Sequence, residues 1–353
     1  MKRKKIISIV GARPQFVKLA PLSEKLNQFH KEIIIHTGQH YDHNMSDSFF
    51  SDLKIKQPKY NLNIGSATQG AQTGTMLTEI EKVLEIEKPQ LVIVFGDTNS
   101  TLAGALAASK MGIDVVHIEA GLRSFNRSMP EEINRIVTDH VSEYLFAPTQ
   151  NAMNLMQNEG LQDKSYLVGD ITVDALMRNL EVAKSKSIIL DELKLTENSY
   201  YLLTLHRPYN VDNPNVLRNI LDTLSQLDEA VLFPVHPRTK SILDTNRIVV
   251  GKNIQMVDLL GYLDFIYLQS NARKILTDSG GIQKEAFILM KPCITLRSET
   301  EWIETVEEGW NLLMKPESDL DAEKIMNFNP TKVQMDIFGR NNADKMVEII
   351  NNI

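Results

Sequence analysis

Thr277-Asp278-Ser279-Gly280-Gly281-Ile282-Gln283-Lys284-Glu285 decides how this chain is read. The stretch follows the apolar Lys274 to Leu276 and leads into helix-compatible sequence, so a strand is expected to stop at Asp-Ser-Gly-Gly and turn into a helix. Such a turn leaves backbone N–H groups unpaired and aimed outward at the positive end of a helix dipole, a seat for a phosphate or diphosphate. Ser279 can cap the helix or donate to the anion. Gly280 and Gly281 remove the side chains that would keep a ligand off the backbone. An ordinary capped helix after a strand has the same local sequence, and the rest of the chain decides between the two.

Working outward, Tyr201 to Leu205, Val231 to Val235, Ile254 to Val257 and Cys293 to Leu296 are further short apolar, β-branched runs around Lys274 to Leu276. The first half has the same pattern: Ile6 to Val10, Ile33 to His36, Leu91 to Phe95, Val115 to Ile118 and Tyr144 to Phe146, with Tyr166 to Val168 closing it. Between them lie stretches with the length and 3.6 period of crossover helices, near 15–29, 70–88, 99–111 and 131–142. The pattern predicts an α/β protein of two Rossmann-like, doubly wound parallel sheets, and 353 residues exceed what one core normally supports. The expected boundaries are 1–170 for an N-terminal domain and 171–335 for a C-terminal one. The segment Thr172 to about Ser187 is a connecting helix, and the tail from Val333 to Ile353 reads as helix, with 336–353 returning to the first domain. Ligand binding is expected in a central cleft faced by both sheets.

Composition narrows the function. A net charge of −7 argues against a nucleic-acid partner, because such proteins need a basic face. The single cysteine, Cys293, excludes an internal disulfide or a cysteine-rich metal site and suits a reducing cytoplasm. Lys2-Arg3-Lys4-Lys5 followed by Ile6 to Val10 is too short for a signal peptide, and no run approaches the roughly 20 apolar residues of a membrane span. No Cys-x-x-Cys spacing and no dinucleotide fingerprint is present, and no metal or cofactor is expected. His30, His43 and His140 read as ordinary core or surface residues.

In the first half, Gly11-Ala12-Arg13-Pro14-Gln15-Phe16-Val17-Lys18 follows the first strand and puts Arg13 and Lys18 at the sheet's C-terminal edge, two cations suited to a diphosphate. Asp97 ends the most apolar strand, where it serves either a site or a helix cap. Glu119 ends another; a buried carboxylate there needs a partner, and Arg123 is near in sequence. Glu131 stands at capping-box spacing from Ser128, with Arg135 four residues on as a possible ion-pair partner. Three acids at strand-end positions are candidates for acid/base chemistry. In the second half, Leu205-His206-Arg207-Pro208 and Val235-His236-Pro237-Arg238 offer cationic donors for an anionic leaving group. Glu285 is placed to accept hydrogen bonds from ribose hydroxyls, and Phe265 to stack on a base.

Assembled, these motifs resemble the non-hydrolysing UDP-N-acetylglucosamine 2-epimerases from Gly11 to about Leu313. They are Gly-Ala-Arg-Pro-Gln, Gly-Asp-Thr-Asn-Ser, His-Ile-Glu-Ala-Gly-Leu-Arg, Pro-Glu-Glu-Ile-Asn-Arg, Asp-Ser-Gly-Gly-Ile-Gln-Lys-Glu-Ala and Arg297-Ser298-Glu299-Thr300-Glu301. The resemblance implies a glycosyltransferase-B-like fold and a cytoplasmic, homodimeric isomerase of polysaccharide biosynthesis, with UDP-sugar and UDP as its ligands. It would interconvert UDP-GlcNAc and UDP-ManNAc through a 2-acetamidoglucal. It carries over Asp97, Glu119 and Glu131 as acid/base candidates, and Arg13, Lys18 and His206 as diphosphate and catalytic contacts. Ser279, Gly280 and Gly281 become the diphosphate seat, Glu285 the ribose contact and Phe265 the uracil neighbour; Arg123, Arg135 and Glu301 join the substrate contacts. The family commonly has Gly-Thr-Arg-Pro-Glu, Gly-His-Arg-Arg-Glu and Thr-Glu-Arg-Pro-Glu. This chain has Gly11-Ala12-Arg13-Pro14-Gln15, Leu205-His206-Arg207-Pro208-Tyr209 and Thr300-Glu301-Trp302-Ile303-Glu304. Those variants are similar to the branch acting on UDP-2,3-diacetamido-2,3-dideoxyglucuronic acid, the alternative substrate. Gln39-His40 matches part of the allosteric substrate site of some bacterial members, whereas Gly65 to Thr75 lacks a basic residue. A UDP-sugar glycosyltransferase is the alternative of a different class.

Overall fold

The computed structural model describes residues 3–39 and 55–353, so His40 and His43 lie outside the described residues. The chain folds as two compact units, Met1–Ala175 together with Asp336–Ile353, and Leu176–Met335.

The first unit holds a parallel sheet of strands β1 (Lys5–Val10), β2 (Lys31–His36), β3 (Tyr60–Asn61), β4 (Leu91–Phe95), β5 (Asp114–Ile118), β6 (Tyr144–Ala147) and β7 (Ser165–Leu167). Their order is β3-β2-β1-β4-β5-β6-β7. All five β4 residues are buried, the signature of a central parallel strand with both faces covered. Ile7, Ile9, Ile33, Ile35, Val92, Val94 and Val115 form the sheet's share of one core, packed with Met76, Ile80 and Leu84 of the helix Gln69–Glu87. The second unit repeats the plan with β8 (Tyr200–Thr204), β9 (Ala230–Pro234), β10 (Ile254–Val257), β11 (Lys274–Thr277), β12 (Cys293–Thr295) and β13 (Asn311–Leu313), in the order β10-β9-β8-β11-β12-β13. The α/β, doubly wound class read from the strand spacing therefore holds in both units. β3 and β13 were not expected, because two or three residues are too few to carry a periodic signal.

Each sheet reverses its winding once, between β1 and β4 in the first unit and between β8 and β11 in the second. At such a switch point the loops leaving the two adjacent strands diverge to opposite faces and open a crevice at the C-terminal ends. Gly11 and Gly96 leave β1 and β4; Leu205 and Asp278 leave β8 and β11. The motifs singled out in the sequence thus emerge at the one edge of each sheet that topology leaves open.

The tail departs from expectation. Helix forms only over Asn342–Asn352, since Gly339 (φ 71°) and Asn341 (φ 52°) take left-handed backbone that interrupts a helix running from Val333. This helix lies against Arg13–Phe29, with Lys25 paired to Asp344 at 2.7 Å and His30 bonded to Asn351 at 2.9 Å. Its anchor is Asn342, fully buried, whose amide donates to the carbonyls of Asp170 (2.8 Å) and Phe338 (3.0 Å). Among the described residues no helix is long and apolar enough to cross a membrane. Replacing Asn342 with Ala removes both amide bonds, leaves the Asp170 and Phe338 carbonyls only their backbone donors, and should cost about 1–3 kcal/mol. Hydrogen exchange would show the amides of the Asn342–Asn352 helix losing protection, and unchanged protection would contradict this anchoring.

Candidate active site

At the β1 turn, a Cβ on Gly11 would collide with Ser100 Oγ and Thr37 Oγ1, so only glycine fits. Gln15 closes the turn. Its carbonyl oxygen accepts from the N–H groups of Gly11 (2.7 Å) and Ala12 (3.1 Å), while its amide donates to the Phe95 carbonyl at the end of β4 (2.7 Å). A carboxylate at this position could not make the last bond, which gives Gln15 a physical reason where the family commonly has Glu. Arg13 and Lys18 follow on the helix Arg13–Phe29 and are both partly exposed.

Lys18 has a carboxylate partner within the protein. Its ammonium pairs with Glu119 Oε2 at 2.5 Å. Arg123, expected beside Glu119, instead forms a fork with Glu159 (2.7 Å to each oxygen) and reaches Asp139 Oδ2 at 2.7 Å. Glu119 is buried and has φ 68°, a left-handed backbone rare for a residue with a side chain. Gly121, two residues on, has φ 81°, and a Cβ there would come within 2.6 Å of the Ala152 carbonyl.

Asp97 is not the helix cap. Thr98 takes that position and accepts from Thr101 N, leaving Asp97 to pair with Arg135 Nη2 at 2.6 Å. Nor does Arg135 pair with Glu131; its other nitrogen binds Glu132 at 2.9 Å. The N-cap of the helix Pro130–Val141 is Met129, Ser128 bonds Asn126 instead, and Glu131 is exposed. The sequence reading missed Glu132. Glu132, Arg135 and Asp139 recur at helical spacing on the buried face, so an inward polar stripe was the available signal. Glu132 also accepts from the N–H groups of Ser124 (2.9 Å) and Phe125 (2.8 Å). Burial would push its carboxyl up, but those N–H groups and Arg135 hold it below the ordinary 4.5.

In the second unit Asp278 is fully buried and collects donors: the N–H groups of His206 (3.1 Å) and Arg207 (2.9 Å), the Asn210 amide (3.1 Å) and the His206 ring (2.9 Å). Burial opposes its charge, and these donors outweigh burial and keep its carboxyl below the ordinary range. The bonds join the β8 and β11 ends across the switch point and leave the His206 side chain half exposed. Ser279 caps the helix Gly280–Ile288, accepting from Ile282 N. The two glycines differ. A Cβ on Gly280 would collide with the Glu301 carboxylate, which is paired with Arg297 at 3.0 Å, whereas at Gly281 nothing lies nearer than Ser279 Oγ at 3.7 Å. Gly280 therefore makes room for the protein itself, and only Gly281 keeps open space above the helix end. Glu285 accepts from Gln269 at 2.7 Å, and Phe265 is partly buried on the helix Tyr262–Asn271. Trp302 is buried with the Lys284 ammonium 4.3 Å from its ring centre, one of the places where the chain departs from the common motif.

A family model described as UDP-N-acetylglucosamine 2-epimerase matches residues 24–351. The chain belongs to that family. It is 50% identical over 356 residues to a UDP-N-acetylglucosamine 2-epimerase homolog of Methanococcus maripaludis, covering 99% of this chain and 100% of the relative. It is also 44% identical over 353 residues to the UDP-2,3-diacetamido-2,3-dideoxy-D-glucuronate 2-epimerase of Pseudomonas aeruginosa, covering 97% and 98%. The crystal structure of Methanocaldococcus jannaschii UDP-GlcNAc 2-epimerase in complex with UDP-GlcNAc and UDP superposes with a TM-score of 0.85 at 46% identity, covering all of both chains. As a member of this epimerase family the chain is an isomerase.

Glu132 supplies a test of the ion pairs in this epimerase-family site. Its folded value lies below the unfolded one, so its stabilisation is complete above 4.5 and disappears as pH falls through the lowered value. Glu132→Gln should cost about 1–3 kcal/mol at neutral pH, and the difference in urea midpoint from the parent should shrink in acid. A difference independent of pH would contradict the charge-based account.

Proposed function

We propose that the chain is a non-hydrolysing UDP-N-acetylglucosamine 2-epimerase that interconverts UDP-GlcNAc and UDP-ManNAc. The observation that carries the reading is Glu119, a buried carboxylate held in left-handed backbone and paired with Lys18, in the turn after β5, the strand beside β4, whose own following turn carries Asp97.

Inverting C2 of a sugar requires removing a proton that no neighbouring carbonyl acidifies. Coupling loss of the C2 proton to departure of UDP from C1 avoids a full carbanion. A carboxylate takes the proton, the C–H electrons form the C1–C2 double bond of a 2-acetamidoglucal, and the C1–O bond breaks. Proton return to the opposite face of C2, with UDP oxygen re-adding at C1, completes the inversion. A positioned acid or base contributes about 10² to 10⁴ in rate, so stabilising charge on the departing diphosphate has to supply much of the remainder. Asp97, Glu119 and Glu131 are proposed for the proton steps. Arg13, Lys18, His206 and the Ser279–Gly281 turn are proposed for the diphosphate, Glu285 for the ribose and Phe265 for the uracil; Arg123, Arg135 and Glu301 complete the substrate environment. What supports a diphosphate seat is the capped helix end over Gly281, with His206 and Arg207 held beside Asp278.

The diacetamido-uronic acid nucleotide is the second reading. It is favoured by Pro208-Tyr209 and the buried Trp302, where the common motifs place Arg-Glu and Arg, and by the Pseudomonas aeruginosa relative. A homodimeric assembly, a cytoplasmic location and a supply role for polysaccharide biosynthesis go with the proposal and are supported by family membership.

Asp97→Asn, Glu119→Gln and Glu131→Gln should each lower epimerase turnover by at least about 10²-fold while UDP still binds. Full turnover in Glu131→Gln would leave that residue as a solvated first-turn acid. Gly281→Ala separates ligand from fold. Because its Cβ meets nothing closer than 3.7 Å, melting temperature should hold or rise, and UDP affinity measured calorimetrically should fall about tenfold, roughly 1.4 kcal/mol. Unchanged affinity would move the diphosphate away from this helix end.

A further inference from the structure

We infer that His117 is a positioning residue of the reaction, its ring a strut that fixes the turn carrying Asp97 against the turn carrying Glu119; the inference rests on the functional reading above. His117 is fully buried on β5. Its Nε2 lies 2.7 Å from the Gly96 carbonyl, and its Nδ1 lies 2.6 Å from Asp139 Oδ1. A carbonyl only accepts. Asp139 accepts as well, because its second oxygen already takes the Gly121 N–H at 3.0 Å and an Arg123 nitrogen at 2.7 Å. Each ring nitrogen thus faces an oxygen acceptor, and the ring bridges two fixed points.

What the acceptors belong to gives the bridge its meaning. Gly96 immediately precedes Asp97, and Gly121 stands two residues after Glu119. The link from Gly96 through His117 and Asp139 to Gly121 thus joins the ends of β4 and β5 just beyond their last ladder bonds, where Gly96 N still donates to Ile118 O at 2.9 Å. Both turns are in left-handed backbone: Gly96 at φ 65°, Glu119 at φ 68° and Gly121 at φ 81°. Backbone in that region persists only where surrounding structure over-determines it. The space where a Gly96 Cβ would sit is 3.2 Å from Glu119 Oε2, so a small shift of one turn moves one carboxylate relative to the other. Misplacing reacting groups by about 1 Å can cost about 10² in rate.

Two substitutions divide the strut. In His117→Asn the amide reaches toward Asp139 but not Gly96, and in His117→Gln it reaches toward Gly96 and leaves Asp139 without its ring partner. Each variant should lose turnover by about 10²-fold with KM for the nucleotide sugar within about threefold of the parent. Circular dichroism and UDP binding by calorimetry confirm that each variant is folded. Turnover within threefold of the parent in either folded variant overturns the strut. An inert parent protein overturns the functional reading itself and the role of His117 with it; an active parent with active variants overturns the strut alone.

Discussion

A carboxylate at the end of a buried parallel strand has lost most of its water, and an uncompensated charge there costs several kcal/mol. Most of the site in the first unit is arranged to answer that penalty. Glu119 is met by Lys18, Asp97 by Arg135, Glu132 by Arg135 and two N–H groups, and Asp139 by His117, Arg123 and Gly121. Because most of these pairs join different elements, the charges also lock the helices Arg13–Phe29 and Pro130–Val141 to the turns after β4 and β5. Satisfying the charges and positioning the acids are the same set of bonds. Groups held this way need little reorganisation when charge moves during a reaction, which is the condition for electrostatic catalysis.

The second unit solves a related problem with one acid. Asp278 sits at the switch point and draws the N–H groups of His206 and Arg207 toward itself, which fixes the loop leaving β8 against the turn leaving β11. The His206 ring is thereby aimed from a rigid base while remaining half exposed. Beside it, Ser279 caps the helix and Gly281 leaves open space over its positive end. Glu301 fills the volume over Gly280, so the two adjacent glycines serve different demands.

Strand spacing and strand-end motifs made the fold class and the family legible, because parallel strands buried on both faces have to read as short apolar runs and functional side chains have to leave at their C-terminal ends. Partner choice was less legible. Arg123 is four residues from Glu119, yet the turn at Gly121 swings it to Asp139 and Glu159, and Lys18, a hundred residues away in sequence, arrives through the packing of the helix Arg13–Phe29. At Glu131-Glu132 a cap motif drew attention to the first acid, while the buried face of the helix selects the second as the buried, ion-paired one. Local spacing reports what neighbours along the chain can do, and it carries no information on which face the sheet covers. The tail misled for a similar reason, since Gly339 and Asn341 break a helix that its apolar residues alone would allow.

The central claim is that these fixed carboxylates exchange the proton at C2 of a nucleotide sugar while the nucleotide is retained. Proton NMR of the protein with UDP-GlcNAc in deuterated water tests it directly. The account predicts that the C2 proton signal disappears from UDP-ManNAc, and from substrate recovered at equilibrium, with no free UDP accumulating. Epimer that keeps its C2 proton, or release of UDP with free sugar, would contradict it.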